Sequence, residues 1–198
     1  MRIIGGRFRG AALAELGEGD AAGRLRPTSD RVRESVFNLL AHGGYGEPPP
    51  PEGCRVLDLF AGTGALGLEA LSRGAAFAAF VDQGQAALAL LRRNLGKLGV
   101  EEAARVISRD ATRLGRWHEA AFDLVFLDPP YGRGLGERAI GSALAGGWVA
   151  PGALVVWEEA AGVNLAPPPG LTRLDARRYG ETMIAIHRSN VPLPGREP

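Results

Sequence analysis

The chain has 198 residues, 45% of them hydrophobic and 23% charged, with a formal net charge of +1. That length supports one domain with a full core and room for a small appendage, and the near-neutral charge does not by itself announce a nucleic-acid partner. No apolar run approaches the about 18 residues of a membrane helix, and MRIIGGRFRG lacks the apolar stretch of a secretory signal, so a cytoplasmic location without membrane contact is expected. Cys54 is the single cysteine and reads as inert packing; His42, His118 and His187 are scattered, so no metal is expected.

In chain order, residues 1–16 alternate loosely around GGRF and predict a β-hairpin. A loop, GEGDAAGRLRP, follows. TSDRVRESVFNLL then predicts a helix starting at Thr28 or Ser29, with Val32, Val36, Phe37, Leu39 and Leu40 on one face. Residues 43–53, GGYGEPPPPEG, form a proline-rich linker that cannot continue a helix. Beyond it strands and helices alternate: RVLDLF, ALGLEALSRG, AFAAFVD, QAALALLRRNLGKLG, ARVISRD, FDLVFLDPP, ERAIGSALAGG and ALVVWEE. LTRLDARRYG and ETMIAIHRS predict a final antiparallel pair, and VPLPGREP a frayed tail. The pattern implies an α/β fold, a mostly parallel seven-stranded sheet with helices on both faces, whose ligands bind at the carboxyl ends of the strands. The expected organisation is an appendage over 1–42, a linker over 43–53, the main domain over 54–190 and a disordered tail over 191–198.

FAGTGALG carries Gly62, Gly64 and Gly67 at the spacing of a dinucleotide-binding turn. Its neighbours argue for a different ligand. Asp58, Asp82, Asp110 and Asp128 fall at the ends of the first four strands, which converge on one cleft. Asp58, four residues before Gly62, is expected to point at whatever the turn holds. A carboxylate there repels a pyrophosphate, which needs bare backbone N–H groups at a helix start, and favours a cation. S-adenosylmethionine meets that demand with a sulfonium and an ammonium. Its ribose diol suits Asp82 and its adenine amine suits Asp110. A Cβ at Gly62 or Gly64 is expected to hold the backbone away from the methionyl part.

LDPPYGRG supplies chemistry. An exocyclic amine on a base is a poor nucleophile because its lone pair is delocalised into the ring. If Asp128 and the carbonyl of Pro129 each accept one N–H, the lone pair is turned toward the methyl donor. Pro130 adds no amide donor and stiffens the turn. Tyr131 can stack on the base, a contact of about 1–3 kcal/mol. A nicotinamide dehydrogenase is the rival from another class; it needs a hydride-transfer partner such as a cleft His or Tyr, and the scattered histidines offer none. An adenine-N6 DNA methyltransferase is the nearer rival, because this motif serves any exocyclic amine.

The segments VLDLFAGTGALGLEALSRGA and LDPPY, with MRIIGGRFRG and RPTSDRVRESVFNLL, resemble the RsmD family over residues 1 to about 160. That resemblance implies a Rossmann-like class I methyltransferase acting on guanine N2 of 16S ribosomal RNA, with S-adenosylmethionine as cofactor. It implies that Asp58, Gly62 and Gly64 contact the methionyl end, Asp82 the ribose and Asp110 the adenine, with Phe60, Ala61, Gln83, Ala111 and Asp128 among the cofactor-binding residues. It assigns Asp128, Pro129, Pro130 and Tyr131 to the target amine. Strand two ends in Asp82-Gln83 where relatives often carry Glu, and either carboxylate accepts from a diol.

The first 33 residues hold seven arginines against four acids. Beside the active cleft such a patch suits phosphate contacts. Arg7, Arg9, Arg24, Arg26, Arg31 and Arg133 are the expected RNA contacts, with Arg138 nearby; Arg31 and Arg33 can equally pair with acids on the helix surface. The expected substrate is 16S ribosomal RNA within a small-subunit assembly intermediate, and the expected state a monomer.

Overall fold

The computed structural model describes residues 1–14, 30–163 and 166–192. Seven strands form one sheet: β1 (Arg55–Leu59), β2 (Phe77–Asp82), β3 (Ala104–Ser108), β4 (Phe122–Leu127), β5 (Val149–Ala160), β6 (Leu171–Tyr179) and β7 (Thr182–Ser189). Four helices accompany it: α1 (Asp30–His42), α2 (Ala65–Ser72), α3 (Gln85–Leu98) and α4 (Leu135–Ala145). The spatial order is β3-β2-β1-β4-β5-β7-β6. β1 to β5 run parallel, and β7 pairs antiparallel with both β5 and β6. Strand order reverses between β1 and β4, which opens the crevice where such sheets take ligands.

Two apolar layers cover the sheet. Val56, Ala78, Phe80, Leu124 and Phe126 face the layer shared with α1, α2, α3 and the N-terminal segment. Leu57, Leu59, Ala79, Val81, Val125 and Leu127 face the layer holding Ala139, Ile140, Trp148 and Trp157. This alternation sets the direction of every acid on the strands. Asp58 falls in register between Phe80 and Phe126, on the α2 side.

The expected hairpin narrows to one antiparallel bridge, Arg2 with Ala12, closed by a short 3-10 turn over Gly6–Phe8. The N–H groups of Ile3, Gly10 and Leu13 pair within it, donating to the carbonyls of Ala11, Ile3 and Met1, while others go to α2. The N–H groups of Ile4 and Gly5 each donate to a carboxylate oxygen of Glu69 at 2.8 Å, and that of Phe8 donates to the Ser72 hydroxyl at 3.0 Å. The segment is therefore a strap laid across α2. The expected helix start at Thr28 or Ser29, the end of the hairpin at 15–16, the loop before the helix and the final tail residues 193–198 lie outside the described residues.

Glu69 is fully buried, and an unpaired buried charge is costly. Arg73 Nε donates to it at 2.8 Å, and Arg33 Nε lies 3.6 Å away. Arg33 is itself fully buried, pairs with Asp30 at 2.9 Å and donates to the Arg2 carbonyl. It is thus no helix-surface arginine and cannot reach RNA. The apolar face of α1 is wider than the sequence pattern implies, and the guanidinium sits within it because Glu69 lies across the layer. Removing one member of a buried pair costs about 3–5 kcal/mol. Arg33→Ala should lose that much in urea unfolding, and a loss below about 1 kcal/mol would contradict this account.

Candidate active site

The turn between β1 and α2 begins with strained backbone. Phe60 has φ 61, the one non-glycine among the described residues in the left-handed region. Left-handed backbone at a residue with a Cβ costs about 1–2 kcal/mol. The turn is fixed from outside: the Ala61 N–H donates to the Val81 carbonyl at 3.0 Å, and that of Gly64 to the Ala61 carbonyl at 2.8 Å.

The two decisive contacts involve the glycines. The Gly62 N–H donates to Asp82 Oδ2 at 2.8 Å, and the Gly67 N–H to Asp58 Oδ2 at 2.9 Å. Asp82 Oδ1 also accepts from Gly84 N–H at 2.7 Å. Two donors around the start of α2 that a pyrophosphate could use are thus engaged by carboxyl groups of the chain itself. A pyrophosphate approaching this turn meets negative charge, and a cation meets a matched site.

Asp58 does not open onto the cleft as expected. Only 1% of it is exposed, because the pleat of β1 turns it under α2 between two phenylalanines. Burial pushes its carboxyl up to about 7, against the opposing effect of the Gly67 hydrogen bond, with nearby Asp82 adding to the rise. Its part is to take the Gly67 N–H beneath the turn, and the negative charge that stands at the cleft is that of Asp82. The glycines also divide their roles. A Cβ on Gly62 would project into open space, with Phe60 O the nearest atom at 4.0 Å, so the turn leaves room there for a ligand. Gly64 serves packing instead: its φ is 86, and a Cβ would lie 2.4 Å from Leu91 of α3. Gly67 lets α2 approach the sheet, since a Cβ would lie 2.3 Å from the Phe80 ring.

Asp82, Asp110 and Asp128 stand at or just past the carboxyl ends of β2, β3 and β4. Asp110 Oδ1 accepts from the amide and the hydroxyl of Thr112, each at 2.8 Å, which holds its carboxyl below the usual range. Ala111 is buried and Gln83 exposed beside these acids. In the motif after β4, Pro129 is buried, Pro130 exposed and Tyr131 half-buried. The Tyr131 hydroxyl donates to Glu158 Oε1 at 2.6 Å, and the Gly132 N–H donates to Glu159 Oε1 at 3.2 Å. Burial and Glu158 push the phenol well above its ordinary range, so it stays protonated and its ring orientation is held.

The whole described chain matches one family. The family model described as conserved hypothetical protein 95 covers residues 1–188. Ribosomal RNA small subunit methyltransferase D of Escherichia coli K12 is 42% identical over 158 residues, covering 80% of this chain and 74% of that protein. The Haemophilus influenzae protein of the same description is 36% identical over 193 residues, covering 96% and 94%. Among solved structures, yhhF from Escherichia coli superposes with a TM-score of 0.78 at 35% identity, covering 97% of this chain and 99% of that one. The chain belongs to the RsmD family.

As an RsmD-family protein it has the Rossmann-like class I methyltransferase fold. Arg7 and Arg9 are exposed on the strap, the former 4.5 Å from the Phe8 ring centroid. Arg31 is exposed on α1 and Arg133 in the turn after the motif. Arg138 lies 3.4 Å from the Thr112 hydroxyl, next to Asp110. Arg24 and Arg26 lie outside the described residues. Glu158 and Glu159 were not singled out from the sequence, although the rule that found the other four acids reaches them: they close ALVVWEE, an apolar strand. Among the described residues no group of three or more His, Cys, Asp and Glu is placed to hold a metal, and no helix is long and apolar enough to cross a membrane. Burial, with Asp123 nearby, pushes the Cys54 thiol up to about 11, which leaves it unreactive.

The state of Asp58 has a measurable sign. Between about pH 4 and 7 the folded chain keeps a proton that the unfolded chain releases, so this group's contribution to stability falls across that window and levels off above it. Urea midpoints at pH 4.5 to 8 should show Asp58→Asn gaining on the parent chain up to about pH 7. A pH-independent difference would contradict the assignment.

Proposed function

We propose that this chain transfers a methyl group from S-adenosylmethionine to the N2 amine of a guanine in small-subunit ribosomal RNA. Family membership supports methylation of ribosomal RNA. The observation that carries the cofactor is the engagement of the Gly62 and Gly67 N–H groups by Asp82 and Asp58. The chain's own carboxylates, with open space at Gly62, fit a cationic ligand bearing a diol and an aromatic amine.

When bound, S-adenosylmethionine supplies an electrophilic methyl group on a sulfonium. Asp82 uses its remaining lone pairs on the ribose hydroxyls, and Gln83 and Ala111 border the same cleft. Asp110, oriented by Thr112, accepts from the adenine amine. Phe60 and Ala61 form the bend that would bring Gly62 to the methionyl end, while Asp58 anchors the first turn of α2 below it through the Gly67 N–H.

Asp128 and the Pro129 carbonyl accept the two N–H groups of the guanine amine and turn its lone pair outward. Pro130 presents no amide donor to compete. Tyr131, its hydroxyl held by Glu158, offers its ring for stacking. As the amine takes the methyl group the carbon–sulfur bond would break and S-adenosylhomocysteine would leave, and the acidified nitrogen would pass its proton by way of the Asp128 carboxylate to water. Positioning at about 3–3.5 Å therefore does the catalytic work and no strong base is needed. Arg7, Arg9, Arg31 and Arg133 supply phosphate contacts around the cleft. The guanine leaves its stack to reach the motif, at a cost of a few kcal/mol.

The test is transfer of label from S-adenosylmethionine to unmodified small-subunit RNA, alone and with ribosomal proteins, with nucleoside analysis of the product. N2-methylguanosine is expected. Asp128→Ala should lose about a hundredfold or more in rate while still binding the cofactor. N6-methyladenosine as product, or near-normal turnover by Asp128→Ala, would overturn the reading.

A further inference from the structure

Asn94 of α3 is fully buried although its side chain is polar. Its amide joins two segments that are otherwise far apart in the chain. Oδ1 accepts from the Ala14 N–H at 2.7 Å, and Nδ2 donates to the Ala14 carbonyl at 3.3 Å and to the Thr63 carbonyl at 3.0 Å. Thr63 lies between Gly62 and Gly64, in the cofactor turn. Ala14 ends the described strap that carries Arg7 and Arg9. Lys97, one turn further along α3, donates to the Ala12 carbonyl and holds the same stretch.

A buried amide needs partners, but one facing solvent-accessible backbone alone would serve that need as well. Here both donor hydrogens and the acceptor face this pair of segments. A shift of the strap that extends to Ala14 changes its contacts with Asn94. The same planar amide transmits the change to the Thr63 carbonyl, because rotating it to keep one partner loses the other. We propose that Asn94 is a positioning residue that couples RNA engagement at the strap to cofactor affinity at the glycine turn. This rests on the reading that the strap binds RNA and the turn binds S-adenosylmethionine.

The coupling is measured on the full chain by titrating S-adenosylhomocysteine calorimetrically with and without unmodified small-subunit RNA. Coupling between linked sites is commonly 5–150-fold, and about fivefold or more is expected for the parent chain. Asn94→Asp keeps the shape and the acceptor for Ala14 N–H but replaces the donor to Thr63 with a repelling oxygen. Ala14→Pro removes the strap donor and leaves the Asn94 contact with Thr63 in place. Both should bring the coupling within about twofold of none. For Ala14→Pro, affinity in the absence of RNA should stay at the parent value. Val100→Ala, a buried core change beyond the end of α3 that alters none of these hydrogen-bonding groups, should lower the melting temperature yet keep the coupling.

Parent-like coupling in Asn94→Asp and Ala14→Pro, no coupling in the parent, or equal loss in Val100→Ala would each overturn the proposal. A parent chain that binds S-adenosylhomocysteine but leaves the RNA unmethylated would overturn the functional reading, and this inference with it.

Discussion

Two backbone N–H groups in the first turn of the nucleotide-binding crevice, those of Gly62 and Gly67, donate to Asp82 and Asp58, and the character of the site follows from that pairing. A helix start is ordinarily an invitation to phosphate. With two of these donors taken by the chain's own carboxyl groups, the turn offers fewer donors to a phosphate, and the Asp82 carboxylate at the cleft repels one. The pairing also sets geometry. Asp82 ties the turn to the end of β2, the Ala61 N–H ties it to Val81, and Phe60 is held in a backbone region that costs energy. The cofactor cleft is therefore built before any ligand arrives.

The second organising feature is a buried acid with many claims on it. Glu69 faces the strap backbone, Arg33 and Arg73 from the middle of α2. A charge in an apolar layer is tolerated only with such a complete set of partners. Its consequence is structural linkage: the helix that starts at the glycine turn is the helix that holds the arginine-bearing strap. Asn94 adds a second link from α3. The segment that carries Arg7 and Arg9 and the turn bordered by Asp82 are parts of one hydrogen-bonded unit.

The alternation of strands and helices, the final antiparallel pair and the acids past β2, β3 and β4 were legible in the sequence because each depends on local pattern. What could not be read were partners distant in the chain. The strap pairs with itself as its pattern implies, but nothing near residues 1–14 announces that Glu69 and Ser72 will take the N–H groups of Ile4, Gly5 and Phe8. Arg33 was grouped with surface arginines because its partner lies across the apolar layer. Asp58 was expected to open onto the cleft, but its direction depended on the pleat of β1, which the apolar run VLDLF on both faces does not disclose. β5 also starts earlier than ALVVWEE: Val149 pairs with Phe122 ahead of an irregularity, through a Pro-Gly pair that reads locally as a turn. Gly64 was assigned to ligand approach when its neighbour is Leu91, a contact visible only once α3 is packed.

The claim at the centre is that carboxylates, placed on the donors a phosphate would need, make this crevice a site for a sulfonium cofactor. Calorimetric titration of the chain with S-adenosylmethionine and, side by side, with NAD tests it directly. Saturable one-to-one binding of S-adenosylmethionine with no heat from NAD is the expected result. Saturable binding of NAD with none of S-adenosylmethionine would contradict it.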